Sequence, residues 1–224
     1  MIVIIPDVLT EQEQQQLKTL AAEAPFVDGK ETAGFRAKLV KNNEQVSKTA
    51  ANKKKLQEIV VTALNRSAAF RRGAIPHHIR PPLISRYRPG MTYGAHVDDA
   101  LMGSANSRDR TDVSVTVFIN DATDYEGGEL VIHSPFGVQE VKLPARYAVV
   151  YPSGTLHEVA EVTKGERLVA VTWVQSYVRD ERHRQFLSDA LDVRDKLHAL
   201  DPKSPETDKA FRLYTNLLRM WAET

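Results

Sequence analysis

The chain contains no cysteine among its 224 residues. That excludes disulfides, thiolate metal sites and cysteine nucleophiles, and it suits a reducing, cytoplasmic setting. There is no charge excess either: Lys plus Arg number 30 and Asp plus Glu 29, a formal net charge of +1. A nucleic-acid binder of this composition needs a local basic patch. The run Lys53-Lys54-Lys55 reads instead as the solvated face of a helix, so no nucleic-acid partner is expected. No apolar run approaches the roughly 18 residues of a membrane span. The opening Met1-Ile-Val-Ile-Ile-Pro6 stops at the proline with no basic residue before it. It is expected to be an edge strand, with no membrane partner and no signal peptide. Internal repeats and low-complexity tracts are also missing. Any metal must therefore be held by His, Asp or Glu.

What is present divides the chain into three stretches. In the first, residues 1–77, Thr10-Glu-Gln-Glu13 is a capping-box pattern that starts a short helix ending near Glu23. Residues 35–48 alternate loosely and end in Asn42-Asn43, a strand entering a turn. From Ala50 to Asn65, the residues Leu56, Ile59, Val60, Ala63 and Leu64 fall on one face of a second helix. In the second stretch, 78–178, eight short β-rich runs follow one another, at 82–88, 92–96, 112–120, 129–134, 138–142, 146–151, 157–162 and 167–177. Such spacing predicts a sandwich or barrel rather than βαβ units. Residues 99–111 form its longest polar connection and are expected to be a lid or binding loop. Gly127-Gly128 precedes a strand, not a helix, so it reads as a turn rather than a phosphate loop.

The third stretch, 179–224, is helical. Phe186, Ala190, Val193, Leu197 and Leu200 share one stripe, Pro202 and Pro205 break the run, and a second helix carries Phe211, Tyr214, Leu217, Leu218 and Trp221. These faces are too apolar to stand in water. They are expected to pack on the amino-terminal helices, or on the same surface of a second subunit in a homo-oligomer.

Seven histidines are present, and any one of them is more often a hydrogen-bonded surface residue than a ligand. Spacing separates two from the rest. In His96-Val97-Asp98 the side chains at i and i+2 share one face of a strand, and Asp99 points away. His157 opens another predicted strand, which a rolled sheet can bring alongside. Two imidazoles and one carboxylate make the facial triad of non-haem Fe(II) oxygenases. Arg167 begins an otherwise apolar strand. A lone inward arginine is expensive unless an anion meets it, and a guanidinium holds a carboxylate bidentately; the plain alternative is an arginine snorkelling to water at a strand end.

Four motifs occur in order: Arg86-Tyr87-Arg-Pro-Gly90-Met-Thr-Tyr93-Gly-Ala-His96-Val-Asp98, then Phe118-Ile-Asn-Asp-Ala-Thr-Asp-Tyr-Glu-Gly127-Gly128-Glu129, then Tyr151-Pro-Ser-Gly-Thr-Leu-His157, then Arg167. Over residues 80–177 the set resembles the Fe(II)/2-oxoglutarate-dependent dioxygenases, within them the prolyl/lysyl-hydroxylase-like group, and there the bacterial PKHD-type hydroxylases. The resemblance implies an α+β fold: a double-stranded β-helix (jelly-roll) core with N-terminal helices and a C-terminal helical extension. It implies His96, Asp98 and His157 as iron ligands and Arg167 as the partner of the distal carboxylate of 2-oxoglutarate. Animal prolyl hydroxylases often carry Lys there; either residue supplies the cation. It further implies O₂ as co-substrate, succinate and CO₂ as products, and L-ascorbate as activator. The substrate would be a prolyl or lysyl side chain or, through the group's association with iron uptake, a siderophore-like small molecule. Tyr87 either hydrogen-bonds the co-substrate or fills the core, Trp173 walls the pocket or fills the core, and Tyr93 is expected to be structural. Two rivals stand beside this reading. A Zn²⁺ hydrolase could use the same ligands but leaves Arg167 without a task, and a non-catalytic iron or 2-oxoglutarate sensor would keep the ligands without turnover.

Overall fold

A computed structural model of the chain describes residues 2–104 and 106–223. The amino-terminal stretch runs β1 (Val3–Ile5), α1 (Glu11–Glu23), β2 (Phe26–Asp28), β3 (Lys41–Asn42), β4 (Glu44–Val46), α2 (Lys53–Arg66) and α3 (Ala68–Ala74). Then come β5 (Pro76–Ile79), β6 (Leu83–Tyr87), β7 (Thr92–His96), β8 (Leu101–Ser104), β9 (Ser107–Arg110) and β10 (Val113–Phe118). The remaining strands are β11 (Tyr125–Gly127), β12 (Leu130–Ser134), β13 (Gly137–Val141), β14 (Ala148–Pro152), β15 (His157–Val159), β16 (Val162–Gly165) and β17 (Arg167–Ser176). Two helices, α4 (Glu181–Leu200) and α5 (Pro205–Trp221), close the chain. No helix among the described residues is long and apolar enough to cross a membrane.

The strands build two large antiparallel sheets and two two-stranded ladders, β11-β16 and β8-β9. The larger runs β1-β14-β10-β17-β6-β4-β2, with β5 also paired to β17, and the smaller runs β13-β12-β15-β7-β3. Side chains alternate across a strand, and here the two faces of the larger sheet meet different partners. Val113, Val115 and Val117 of β10 and Leu168 and Ala170 of β17 pack with Leu17 of α1, Leu56 and Val60 of α2 and Phe70 of α3. Phe118, Val149, Tyr151 and Val169 turn the other way and pack with Leu130, Ile132 and Val159 of the smaller sheet. With both faces covered, all six residues of β10 are buried, the alternating Ser114 and Thr116 included. The result is α+β, a jelly-roll core with helices laid against its larger sheet.

The elements follow local rules. Thr10 caps α1 by accepting from Glu13 N at 3.2 Å, while the Glu13 carboxylate accepts from Thr10 N at 2.8 Å. Leu56, Ile59, Val60, Ala63 and Leu64 of α2 are all buried. Val3–Ile5 is the expected edge strand, paired with β14.

Three expectations are corrected. Residues 99–111 are not a loop: β8 and β9 pair from Leu101↔Arg110 to Ser104↔Ser107, a hairpin whose Ala105 lies outside the described residues. Asn42-Asn43 is not a turn either. The chain passes from the smaller sheet to the larger one there, β3 pairing with β7 and β4 with β6, and Asn43 is buried at the crossing. On α4, the face turned to the core carries Arg184, Leu187 and Leu191, whereas Phe186, Val193 and Leu200 are exposed. An arginine holds that face because its guanidinium donates to the carbonyls of Val178 and Arg179, both at 2.8 Å, so its burial is compensated.

Several bonds tie the tail to the core. Arg72 of α3 pairs with Asp192 and Asp195 of α4. Glu223 N donates to Tyr177 O at 2.7 Å, and Arg110 donates to the Glu223 carboxylate at 3.1 Å. A chain ending at Val178 loses these bonds and uncovers the α3 surface under Leu187 and Leu191; each such side chain contributes about 1.5–3 kcal/mol when fully buried. It should melt at a clearly lower temperature or aggregate. An unchanged melting temperature would show the tail to be an independent module.

Candidate active site

Strand β15 lies between β12 and β7, and its first residue sets the site. His157 faces His96 across the β15–β7 ladder, yet the next pair is Val159↔Tyr93. Two steps on β15 match three on β7, so β7 carries a bulge. Strict alternation would send Tyr93 and His96 to opposite faces. The bulge returns them to one face, where their rings stack at 3.7 Å between centroids and 16° between planes. β7 ends at His96, so Asp98 reaches the same point from the link to β8 rather than from the strand. The His96 and His157 rings stand 4.4 Å apart, and Asp98 Oδ2 is 3.8 Å from His157 Nε2. One side-chain donor atom from each of the three residues lies within 4.8 Å of the others.

The surroundings orient these donors. His96 Nδ1 lies 2.8 Å from Gly94 O and His157 Nδ1 2.9 Å from Thr155 O. With Nδ1–H donating to a carbonyl, each ring turns an Nε2 lone pair toward the centre. Ser114 Oγ donates to Asp98 Oδ2 at 2.6 Å and is itself 2.7 Å from Ser153 Oγ. Burial, reinforced by His157, pushes His96 down to about 4, so the imidazole is neutral at pH 7, the form that binds metals.

Across the pocket, Arg167 is 1% exposed. It opens β17 opposite Tyr87 of β6, on the face that also carries Val169 and Trp173. Its guanidinium lies 5.1 Å from the Tyr87 ring centroid and 5.6 Å from that of Phe118. Arg167 Nε has no hydrogen-bond partner, and no carboxylate among the described residues reaches ion-pair distance. The side chain does not snorkel to water. Burial raises the Tyr87 hydroxyl above its usual range, against the pull of Arg167; the phenol stays protonated and able to donate.

Gly127-Gly128 is not the expected turn: Gly127 ends β11 just past a register shift and Gly128 begins the short link to β12, where it makes room for this arginine. Gly128 sits at φ +68°, and a Cβ there would lie 2.9 Å from Val162 Cγ2 and 3.0 Å from Arg167 Cδ. Trp173 and Tyr87 both line the pocket, a space of about 770 Å³ measured to its open mouth. Tyr93, expected to be structural, lines it too.

The same pocket contains residues that sequence reasoning missed. Lys41, Asn43 and Gln45 are all buried along its wall. Their signal was a polar run where a half-buried strand should alternate. Gln45 Nε2 donates to Ser85 Oγ at 3.1 Å. Asp99 stays outside the cluster of donors, exposed and against Gly34 at the edge of the pocket.

A family model described as the 2OG-Fe(II) oxygenase superfamily matches residues 82–175. Over 223 residues, and 100% of either chain, the sequence is 49% identical to a PKHD-type hydroxylase of Acaryochloris marina (strain MBIC 11017). It is 47% identical over the same span to a PKHD-type hydroxylase of Synechococcus sp. (strain JA-3-3Ab), again with 100% of each chain covered. Among solved structures, a Pseudomonas putida prolyl-4-hydroxylase shares the fold with a TM-score of 0.56 at 19% identity, covering 78% of this chain and 92% of that one.

Gly128→Ala should destabilise the protein by about 1–3 kcal/mol through its left-handed backbone and the contacts a methyl would make. A thermal melt checks this; an unchanged midpoint would mean that Val162 and Arg167 yield freely.

Proposed function

The chain belongs to the PKHD-type hydroxylases of the 2OG-Fe(II) oxygenase superfamily, and we propose that His96, Asp98 and His157 hold its Fe(II) while Arg167 and Tyr87 hold 2-oxoglutarate. The family makes it an oxidoreductase, a 2-oxoglutarate- and Fe(II)-dependent dioxygenase. The observation that carries the residue assignment is the pairing of two features in one pocket: three converging donors, and a buried guanidinium that no carboxylate among the described residues meets.

The donor chemistry fits the metal. Two neutral imidazoles and one carboxylate on one side suit Fe(II) and leave about three coordination positions open. Bound there, Fe(II) supplies the coupled activation of O₂ in which 2-oxoglutarate becomes succinate and CO₂ and a substrate C–H becomes C–OH. The chain's own residues do the rest. Arg167 fixes the distal carboxylate through a charge-assisted, bidentate contact, and the protonated Tyr87 hydroxyl donates beside it. The carbonyls of Gly94 and Thr155 hold the imidazoles in the metal-binding tautomer, and Ser114 occupies one oxygen of Asp98 and leaves the other free. Phe118, Leu130 and Val169 keep water from the inner wall. A zinc hydrolase would leave the Arg167 charge unmet.

Residues 78–178 form the catalytic unit in this reading, with 1–77 as its support and 179–224 as an extension; β1 on β14 and β4 on β6 support treating the first stretch as part of the core. The substrate is a protein side chain or a small molecule. L-ascorbate as activator rests on the family resemblance, and a cytoplasmic location suits the cysteine-free chain.

His157→Ala should abolish high-affinity Fe(II) binding and turnover of 2-oxoglutarate to succinate. Unchanged iron affinity in an anaerobic titration would remove His157 from the ligand set. Arg167→Leu should still bind iron but weaken 2-oxoglutarate by about 2–5 kcal/mol, the loss of a desolvated ion pair. Lost iron binding with intact 2-oxoglutarate affinity would give Arg167 a structural role instead.

A further inference from the structure

The pocket holds a second buried cation that neither the metal nor 2-oxoglutarate accounts for. Lys41 is 5% exposed, on β3 at the edge of the smaller sheet. Its Cα lies opposite Tyr93, the residue stacked on His96. Its ammonium donates to Thr32 Oγ1 at 3.3 Å and stands 5.1 Å from the centroid of the Tyr93 ring. The Thr32 hydroxyl in turn donates to Gln45 Oε1 at 2.5 Å. No carboxylate among the described residues reaches ion-pair distance of Lys41; Asp98 and Asp28 act on it only from farther away. An ammonium has three donors, and one long bond to a hydroxyl leaves this one under-satisfied where water is scarce. A lysine has the reach to carry its charge out to solvent, yet this one stays inside. Burial lowers it to about 8, so it is still mostly charged at pH 7.

Its place separates it from Arg167. Arg167 comes from the larger sheet and Lys41 from the smaller, and the same pocket is lined by both. Charges within the pocket balance without Lys41: Fe(II) and Arg167 contribute three positive, Asp98 and 2-oxoglutarate three negative. Asp99, at the mouth, is exposed and screened by water. On the ligand assignment above, both carboxylates of 2-oxoglutarate already have partners, one Arg167 and the other the metal. We propose that Lys41 anchors a carboxylate of the substrate that is hydroxylated, which makes it a specificity-determining residue for carboxylate-bearing substrates. An amide or ester in the same position would leave the ammonium buried and unpaired.

The test uses the full chain loaded with Mn(II) and saturated with 2-oxoglutarate, and hexanoate and hexanamide as probes of nearly equal shape. Binding is read from the paramagnetic relaxation of the probe protons by Mn(II), which requires no turnover. Hexanoate should bind at least about tenfold more tightly than hexanamide, as a charge-assisted contact implies. Lys41→Met should erase that difference and Lys41→Arg should retain most of it. The comparison in the unaltered protein stands even if a variant folds poorly: equal binding of the two probes overturns the proposal. So does a preference that survives Lys41→Met, or a loss of 2-oxoglutarate affinity in that variant, which would put the cation on the co-substrate. Failure of the unaltered protein to bind Mn(II) and 2-oxoglutarate at all would instead overturn the ligand assignment on which the proposal rests.

Discussion

The positive charge of Arg167, enclosed between the two sheets with no carboxylate among the described residues at ion-pair distance, is the constraint around which the pocket is organised. A buried, unpaired ion costs several kcal/mol, and a marginally stable domain does not carry such a term idly. The fold goes to some length to keep it. β17 pairs with β10 on one side and β6 on the other, so the strand cannot shift its register to expose the residue. Gly128, in a left-handed conformation, gives up its side chain to the arginine's stem. Tyr87 and Phe118 present ring faces to the guanidinium, a favourable but incomplete substitute for an anion. In the proposed assignment a ligand carboxylate is the missing partner, and one cavity is lined both by Arg167 and by the three donors.

The donors depend on the smaller sheet in a different way. His96 and His157 are cross-strand neighbours, and the β7 bulge brings Tyr93 beneath the first of them. Each imidazole is locked by a carbonyl two residues earlier in its own chain, Gly94 or Thr155. The site is therefore preorganised by backbone geometry rather than by a shell of charged side chains. Only the carboxylate relies on side chains, through Ser114 and Ser153. Ser114 is one of two polar residues in the fully buried β10, beside Thr116, and it is the hydrogen-bond donor to Asp98.

Much of this was legible in the residues because it is periodic or because it is chemically rare. The face of α2, the capping box of α1 and the inward side of β17 follow from spacing alone, and His96, Asp98, His157 and Arg167 stand out by type and order. The failures share a physical origin. The β8–β9 hairpin places Leu101 and Met102 side by side and is otherwise polar or glycine, so it lacks the alternation that marks a half-buried strand. The crossing at Asn43 is decided by two sheets that meet only in three dimensions. Arg184 holds a core-facing position on α4 because two carbonyls happen to lie within its reach, and the outward stripe of Phe186, Val193 and Leu200 cannot be told from an inward one by period. Lys41 lies in a run that is polar from 41 to 45, and the enclosure of its side chain is decided by the fold around it.

The central claim, that the buried guanidinium is held for a carboxylate, can be tested without altering the protein. The measurement is the melting temperature of the Fe(II)-loaded chain, under argon, with 2-oxoglutarate or with 2-oxobutyrate, which shares the 2-oxo acid head and lacks the distal carboxylate. A ligand that binds only the folded state raises stability in proportion to the logarithm of its concentration over Kd. The account predicts a marked upward shift with 2-oxoglutarate and little or none with 2-oxobutyrate at the same concentration. Equal shifts for the two acids would contradict it.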